Sequence, residues 1–273
     1  MTAGRPEIGR TRAGDPGAIL AIDSSTAALA IAVLSNGIVI GSVQSEAERN
    51  HSRLIIPEIK RLMAECGMKP QDLDAIAVGQ GPGSYTGVRI AVTAGKTLAW
   101  AWNKKLVGVS SLEALAFGAW EAAAEADTAG SGDAAQCWIV PAQDARRGQV
   151  YTSRFLAGRD GDWTRLDADG IRLSSDWAQQ LRQEAAASGS EIEIWFVGHT
   201  DPFADEPSDE AGGPGPLRAR HIPFEVEAGA IGKLAVRRMD REETDDIHAF
   251  VPNYTQLAEA EAKLLAAARR DSR

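Results

Sequence analysis

Gly79-Gln-Gly-Pro-Gly-Ser-Tyr-Thr-Gly-Val-Arg89 is the stretch that organises the chain. An apolar run, Ala75 to Val78, leads into it, and a helical pattern, Thr86 to Trp102, leads out. Gly79, Gly81, Gly83 and Gly87 allow positive φ and let a neighbouring group come close to the main chain. Pro82 fixes one φ and removes one N–H, and Ser84 or Thr86 is placed to cap the helix. A strand, a glycine turn and a helix N-terminus gather free N–H groups and a positive dipole end, a geometry suited to phosphate. Two phosphate-binding signatures nevertheless fail. G-x-G-x-x-G counted from Gly79 ends on Ser84, and from Gly81 on Thr86. A P-loop ending in Gly95-Lys96-Thr97 would need glycine where Ile90 stands. The competing reading is a tight strand-to-helix link required for packing alone.

Upstream, Ala18 to Ile22 reads as a strand closed by Asp23-Ser24-Ser25-Thr26, and Ala27 to Leu34 as a second. Asn36-Gly37 is a hairpin signal, and Ile38 to Val43 is the third strand. Asn50-His51-Ser52 opens a helix to Cys66, closed by Gly67. Downstream, Leu106 to Val109 is a strand, and Ser110-Ser-Leu-Glu113 has the capping-box pattern of a helix start. Asp127 to Ala135 reads as a linker, after which the order begins again. Cys137 to Ala142 and Gln149 to Leu156 are strands joined by the Gln143-Asp-Ala-Arg-Arg-Gly148 turn. A third strand falls between Trp163 and Leu173, then a helix, Ser174 to Ala187, and a strand, Ile192 to Val197. Two rounds of β-β-β-α-β-α predict a duplicated α/β unit packed as two lobes facing a cleft. The expected divisions are a disordered tail, 1–17; a first lobe, 18–126; a second lobe, 136–250, with a disordered acidic Pro/Gly insertion at about 200–220; and a C-terminal helix within 251–273.

The 273 residues are 44% hydrophobic and 25% charged, enough for two lobes of about 100–150 residues. A net charge of -9 disfavours tight nucleic-acid binding by this subunit alone, while leaving room for a local basic patch. Cys66 and Cys137 have no metal spacing and fit a reducing cytoplasm. No apolar run reaches the roughly 18 residues of a membrane span, and Met1 to Gly17 lacks the apolar centre of a signal peptide.

Asp23, Ser24 and Thr26, with Gly81, Gly83, Ser84 and Thr86, are the candidate phosphate-facing loops. The alternative for the first is an Asx-turn closing a hairpin. His51, His199, His221 and His248 have neither H-x-x-x-H nor H-E-x-x-H spacing, so no helical metal pair is expected. No G-x-S-x-G elbow supports serine hydrolysis. Gly87, Ala91, Gly95 and Ala99 form a small-residue stripe on one helix face, and Leu54, Ile55, Ile59, Leu62 and Met63 make the preceding helix broadly apolar. These nine residues serve either packing within the lobe or a helical interface with another chain.

Several blocks resemble one family: Ile19-Leu-Ala-Ile-Asp-Ser-Ser-Thr26, His51-Ser52 with Pro57, Asp72-Leu-Asp-Ala-Ile-Ala-Val-Gly79, Gly81-Pro-Gly-Ser-Tyr-Thr-Gly-Val-Arg-Ile90 and Gly108-Val-Ser-Ser-Leu112. So do Asp144-Ala-Arg-Arg147 with Val150-Tyr151, and Pro252-Asn-Tyr254 with Ala258-Glu-Ala-Glu-Ala262. Together they resemble the TsaB (YeaZ) family of bacterial threonylcarbamoyladenosine (t6A) biosynthesis, from about Ala18 onward in scattered blocks. The resemblance implies a two-lobed, actin-like ATPase fold in a non-catalytic subunit. It implies a heterodimer with the paralogue TsaD, which carries an H-x-x-x-H metal site and transfers threonylcarbamoyl to adenosine 37 of tRNA. It also implies a ternary complex with the P-loop ATPase TsaE and a competing homodimer through the same helices. No cofactor is expected in this chain itself, ATP or ADP belonging to the complex, and tRNA is met only through the complex. The alternative is a stand-alone actin-fold ATPase or metallopeptidase-like enzyme.

Overall fold

The computed structural model describes residues 17–46, 50–126, 136–158, 162–204 and 217–255. The tail up to Pro16, the expected linker Asp127–Ala135 and the expected helix Leu257–Arg270 lie outside them. The first half runs β1 (Ala18–Asp23), β2 (Ala28–Ser35), β3 (Ile38–Glu46), α1 (His51–Glu65), β4 (Leu73–Gly79), α2 (Tyr85–Trp102), β5 (Lys105–Val109) and α3 (Ser111–Glu125). The second runs β6 (Gln136–Asp144), β7 (Gln149–Ala157), β8 (Trp163–Leu173), α4 (Ser174–Ala187), β9 (Ile192–Gly198), β10 (Leu217–Ile222) and α5 (Ala228–Met239).

The first sheet has the order β3-β2-β1-β4-β5 and the second β8-β7-β6-β9-β10. In each, the first three strands are antiparallel and the fourth and fifth join parallel, so the two sheets share one topology. The fold is therefore the expected duplicated, two-lobed actin-like α/β architecture. Its central strand explains the sequence: β1 is buried on both faces and reads as an unbroken apolar run. Leu20 and Ile22 face α1 and α2, while Ile19 and Ala21 face a central core. Asn36 and Gly37 take φ of 52° and 75°, as a tight hairpin turn requires.

The two halves exchange their last helices. Helix α3 packs on β6, β7 and β9, and α5 packs on β1, β2, β4 and β5, with α3 and α5 against each other. One core runs through Ala77 and Val109, Ala116 and Ile231, and on to Phe155 and Trp195. Packing thus crosses between the two halves of the repeat.

Two segments differ from expectation. The insertion expected at 200–220 is shorter: Phe203 is buried and stacked on Phe196, and β10 pairs in parallel with β9. Arg218 is exposed and Ala219 buried, the alternation of a strand buried on one face. Arg220 is tied to Glu193 at 2.6 Å, and residues 205–216 lie outside the described set. Val251 to Thr255 is also not helical. Pro252 lacks an N–H, and Asn253 N donates instead to Gln80 O at 2.8 Å, laying this segment along the first lobe.

Candidate functional site

The ends of β1, β4 and β6 and the N-termini of α2 and α3 meet at one place. Asp23 is only 1% exposed. Its Oδ1 accepts hydrogen bonds from Ser25 N and Ser25 Oγ, each at 2.8 Å, and its Oδ2 accepts one from Ser111 Oγ at 2.6 Å. Ser111 Oγ in turn accepts from Gly81 N at 3.1 Å. Burial pushes the Asp23 carboxyl above its ordinary range, against the opposing pull of Ser111 and Ser25. Gly79 must be glycine here, since a Cβ would sit 1.7 Å from Asp23 Oδ2.

The glycine turn closes over Asp23. Ser24 Oγ donates to Gly87 O at 2.7 Å, and Ser84 N donates to Ser25 O at 2.7 Å. A Cβ on Gly87 would lie 1.8 Å from Ser24 O. Ser84, not Thr86, caps α2, its Oγ accepting from Gly87 N at 3.3 Å. Thr26 Oγ1 accepts from Ala28 N at 3.2 Å. The candidate phosphate loops are thus brought together, but they bond to one another. Asp23, Ser24 and Gly81 are buried and committed, while Ser84 and Thr86 remain exposed on the helix start. In this arrangement the buried groups of the loops serve one another as packing contacts, while Ser84 and Thr86 face solvent at the start of α2. Ser111, which the sequence offered only as part of a helix cap, holds the latch shut.

Beside the latch lies a cleft of about 550 Å³ between the lobes. Arg165 there pairs with Glu113 at 2.6 Å and Asp169 at 2.5 Å, and Arg238 with Asp245 at 3.2 Å. Arg238 also donates to Gly108 O. Glu113 accepts from Trp163 Nε1 at 3.2 Å, and Asn253 Nδ2 donates to Asp169 at 3.0 Å. Among these, the bonds of Arg165 and Trp163 to Glu113 and of Arg238 to Gly108 O link the two halves of the chain. Across the opening, the Asp144-Ala-Arg-Arg-Gly148 turn is exposed; Arg146 and Arg147 take φ of 67° and 55°.

A family model described as TsaD, tRNA N6-adenosine threonylcarbamoyltransferase, matches residues 33–198. The tRNA threonylcarbamoyladenosine biosynthesis protein TsaB of Bacillus subtilis is 37% identical over 90% of this chain and 96% of its own length. The chain belongs to the TsaB family. The Escherichia coli TsaB is 30% identical over 65% of this chain and 73% of its own length. The solved YeaZ of Pseudomonas aeruginosa, at 24% identity, covers 87% of this chain and 99% of that one with a TM-score of 0.67, so it shares the fold.

Eight of the nine residues read as either core or interface are buried in their own lobe. Ile55, Ile59, Leu62 and Met63 are no more than 4% exposed and pack under α1, and Leu54 is half-buried beside them. Ala91 and Ala99 are fully buried under α2. A Cβ on Gly95 would come within 2.2 Å of Val78 Cγ2, so the stripe of Gly87, Ala91, Gly95 and Ala99 seats α2 on its own sheet. Apart from half-buried Leu54, these residues are buried within their own lobe. The outer faces of both helices carry Ile56, 37% exposed, and half-buried Ile90 and Ala94. Among the described residues no helix is long and apolar enough to cross a membrane, and no His, Cys, Asp and Glu side chains group as three metal ligands.

Proposed function

We propose that this chain is an accessory, non-catalytic subunit in t6A biosynthesis, acting in the cytoplasm with TsaD and TsaE. The reaction is transfer of a threonylcarbamoyl group to N6 of adenosine 37 in tRNAs that read ANN codons, with TsaD supplying the catalytic centre. TsaB-family membership supports the pathway. The single observation that carries the accessory role is the latch: the carboxylate at the mouth of the first lobe, Asp23, is engaged at both oxygens by Ser25 and Ser111. A buried acid held that way, with three of its roughly four acceptor sites filled from within the lobe and 1% of its surface exposed, supports the lobe and is closed to a substrate in solvent. TsaD docks on the outer faces of α1 and α2, around Leu54, Ile56 and Ile90, and a homodimer competes for the same surface.

The test is deletion of the gene and mass-spectrometric assay of t6A in bulk tRNA. The wild-type chain restores the modification and co-purifies with TsaD. Leu54→Asp with Ile90→Asp folds, fails to co-purify and restores little. Full restoration by that variant removes the docking face, and ATP or peptide hydrolysis by the isolated wild-type chain removes the accessory role.

A further inference from the structure

Two groups of residues at the lobe opening have no part in the latch or in the α1–α2 face. The first sits on the opening turn of α2. The Arg89 guanidinium lies 4.0 Å from the centroid of the Tyr85 ring, and its Nε donates to Tyr254 Oη at 2.8 Å. The two rings are 5.7 Å apart, and they are 55% and 47% exposed. The second is the turn after β6. Asp144 Oδ1 accepts from Arg146 N at 2.7 Å, and Gln149 N donates to Arg146 O at 3.0 Å. Those bonds hold Arg146 and Arg147 in the left-handed region, with both side chains exposed. Left-handed backbone at two successive non-glycine residues is costly, and such cost gathers at functional positions. The groups flank one contact: a Cβ on Gly83, two residues before Tyr85, would lie 2.8 Å from Oε1 of Gln143, which directly precedes the Asp144 turn.

Among the described residues no carboxylate pairs with Arg89, Arg146 or Arg147. In a chain of net charge -9, three arginines without carboxylate partners beside two exposed rings form a local exception. Exposed aromatic rings offer stacking surfaces to unpaired bases, and arginines grip the phosphates between them. We propose that Tyr85, Arg89 and Tyr254, together with Arg146 and Arg147, contact an unpaired segment of RNA in the assembled complex. The inference rests on the tRNA-modification reading and deepens it. The bases stack on the tyrosine rings and the backbone lies along the arginine turn. The acidic remainder of the chain keeps this contact weak in isolation.

The test uses the full chain reconstituted with TsaD and an unmodified transcript of a tRNA that reads an ANN codon. Arg146→Gln with Arg147→Gln keeps the same backbone demand and removes both charges. The RNA dissociation constant rises about 5- to 20-fold, and the slope of log affinity against log salt falls by about 1.4, the single-strand value for two charges. Tyr85→Ala with Arg89→Gln weakens binding about 5-fold or more through lost stacking. Unchanged affinity and slope in both variants, with TsaD pairing intact, overturn the proposal. So does loss of TsaD pairing with no change in RNA affinity of the crosslinked complex, since the patch then meets protein. If the wild-type chain fails to pair with TsaD, the functional reading falls instead; RNA binding by the isolated chain at low salt, with the same variants, then decides the patch.

Discussion

The hairpin turn after the first strand of each sheet starts with an aspartate, and the two turns have opposite fates. Asp23 is sealed under the glycine turn and α2, and it spends its oxygens on Ser25 and Ser111. Asp144 is exposed and holds only the backbone of its own turn. The cause lies one element further along each repeat. In the first half a long helix, α2, follows the fourth strand and lies over the turn; in the second only a single 3-10 turn, Asp201–Phe203, is described between β9 and β10. Even the glycine ending the fourth strand is repeated. A Cβ on Gly79 would strike Asp23, and one on Gly198 would lie 2.6 Å from Ala142 O. Duplication thus supplied one geometry twice, and a single covering helix made one copy structural while the other stayed open to solvent.

The comparison breaks most visibly at Asp23. Asp23→Ala strips three donors, Ser25 N, Ser25 Oγ and Ser111 Oγ, of their acceptor in a site closed to water. A loss of about 3–5 kcal/mol is expected by urea denaturation, each stranded donor costing about 1–3 kcal/mol before relaxation. A loss under about 1 kcal/mol means the turn opens to water, and the latch is not closed in solution. Gly87→Ala comes next, because the added methyl meets the rigid backbone oxygen of Ser24 at 1.8 Å. About 2–3 kcal/mol is expected, the upper range for overpacking. Gly95→Ala meets a movable methyl of Val78 and costs less, about 1–2 kcal/mol. If Gly95→Ala leaves stability intact yet abolishes TsaD pairing, the stripe is an interface after all.

Most of the fold was readable from these residues, and the reason is periodicity. Strands buried on both faces, such as Ala18 to Ile22, and the Asn36-Gly37 hairpin carry their own signals. Strand β10 was hidden because its first residues follow the Pro/Gly-rich acidic stretch and were read with it. The phosphate loops and the small-residue stripe left two readings open for a different reason. Glycine marks close approach of something to the backbone, and sequence does not say whether that is a ligand or the same chain. At Gly79, Gly87 and Gly95 the close neighbours are Asp23, Ser24 and Val78. Tyr254 as the partner of Arg89, 165 positions away, had no local signal beyond the Pro252-Asn-Tyr254 block.

Titration sharpens the contrast without disturbing the fold. Burial raises the Asp23 carboxyl above its ordinary 3.8, so the folded state binds its proton more tightly than the unfolded chain does. That contribution is fully present below the unfolded value and is lost as pH rises through the folded one. Glu184, lowered by Gln180 and Arg154, works the other way, its support present above the ordinary 4.5 and lost as pH falls. The stability of wild type minus Asp23→Asn, taken from urea midpoints across this range, therefore declines as pH rises above the ordinary aspartate value. A flat or rising difference shows the carboxylate to be better solvated than its burial implies.

The smallest effect belongs to the open turn. Asp144→Ala removes one hydrogen bond, 2.7 Å to Arg146 N, at an exposed position where water replaces it. The expected loss is about 0.5–1 kcal/mol in the same denaturation assay. Without that bond, Arg146 and Arg147 have less reason to stay left-handed, so the arginine pair becomes conformationally broader while the lobe remains folded. RNA affinity of the complex then falls by less than in the double glutamine variant, because both charges remain but their placement is lost. A stability loss as large as that of Asp23→Ala would mean that the second turn is also a structural staple. The two copies of the hairpin would then differ in exposure alone.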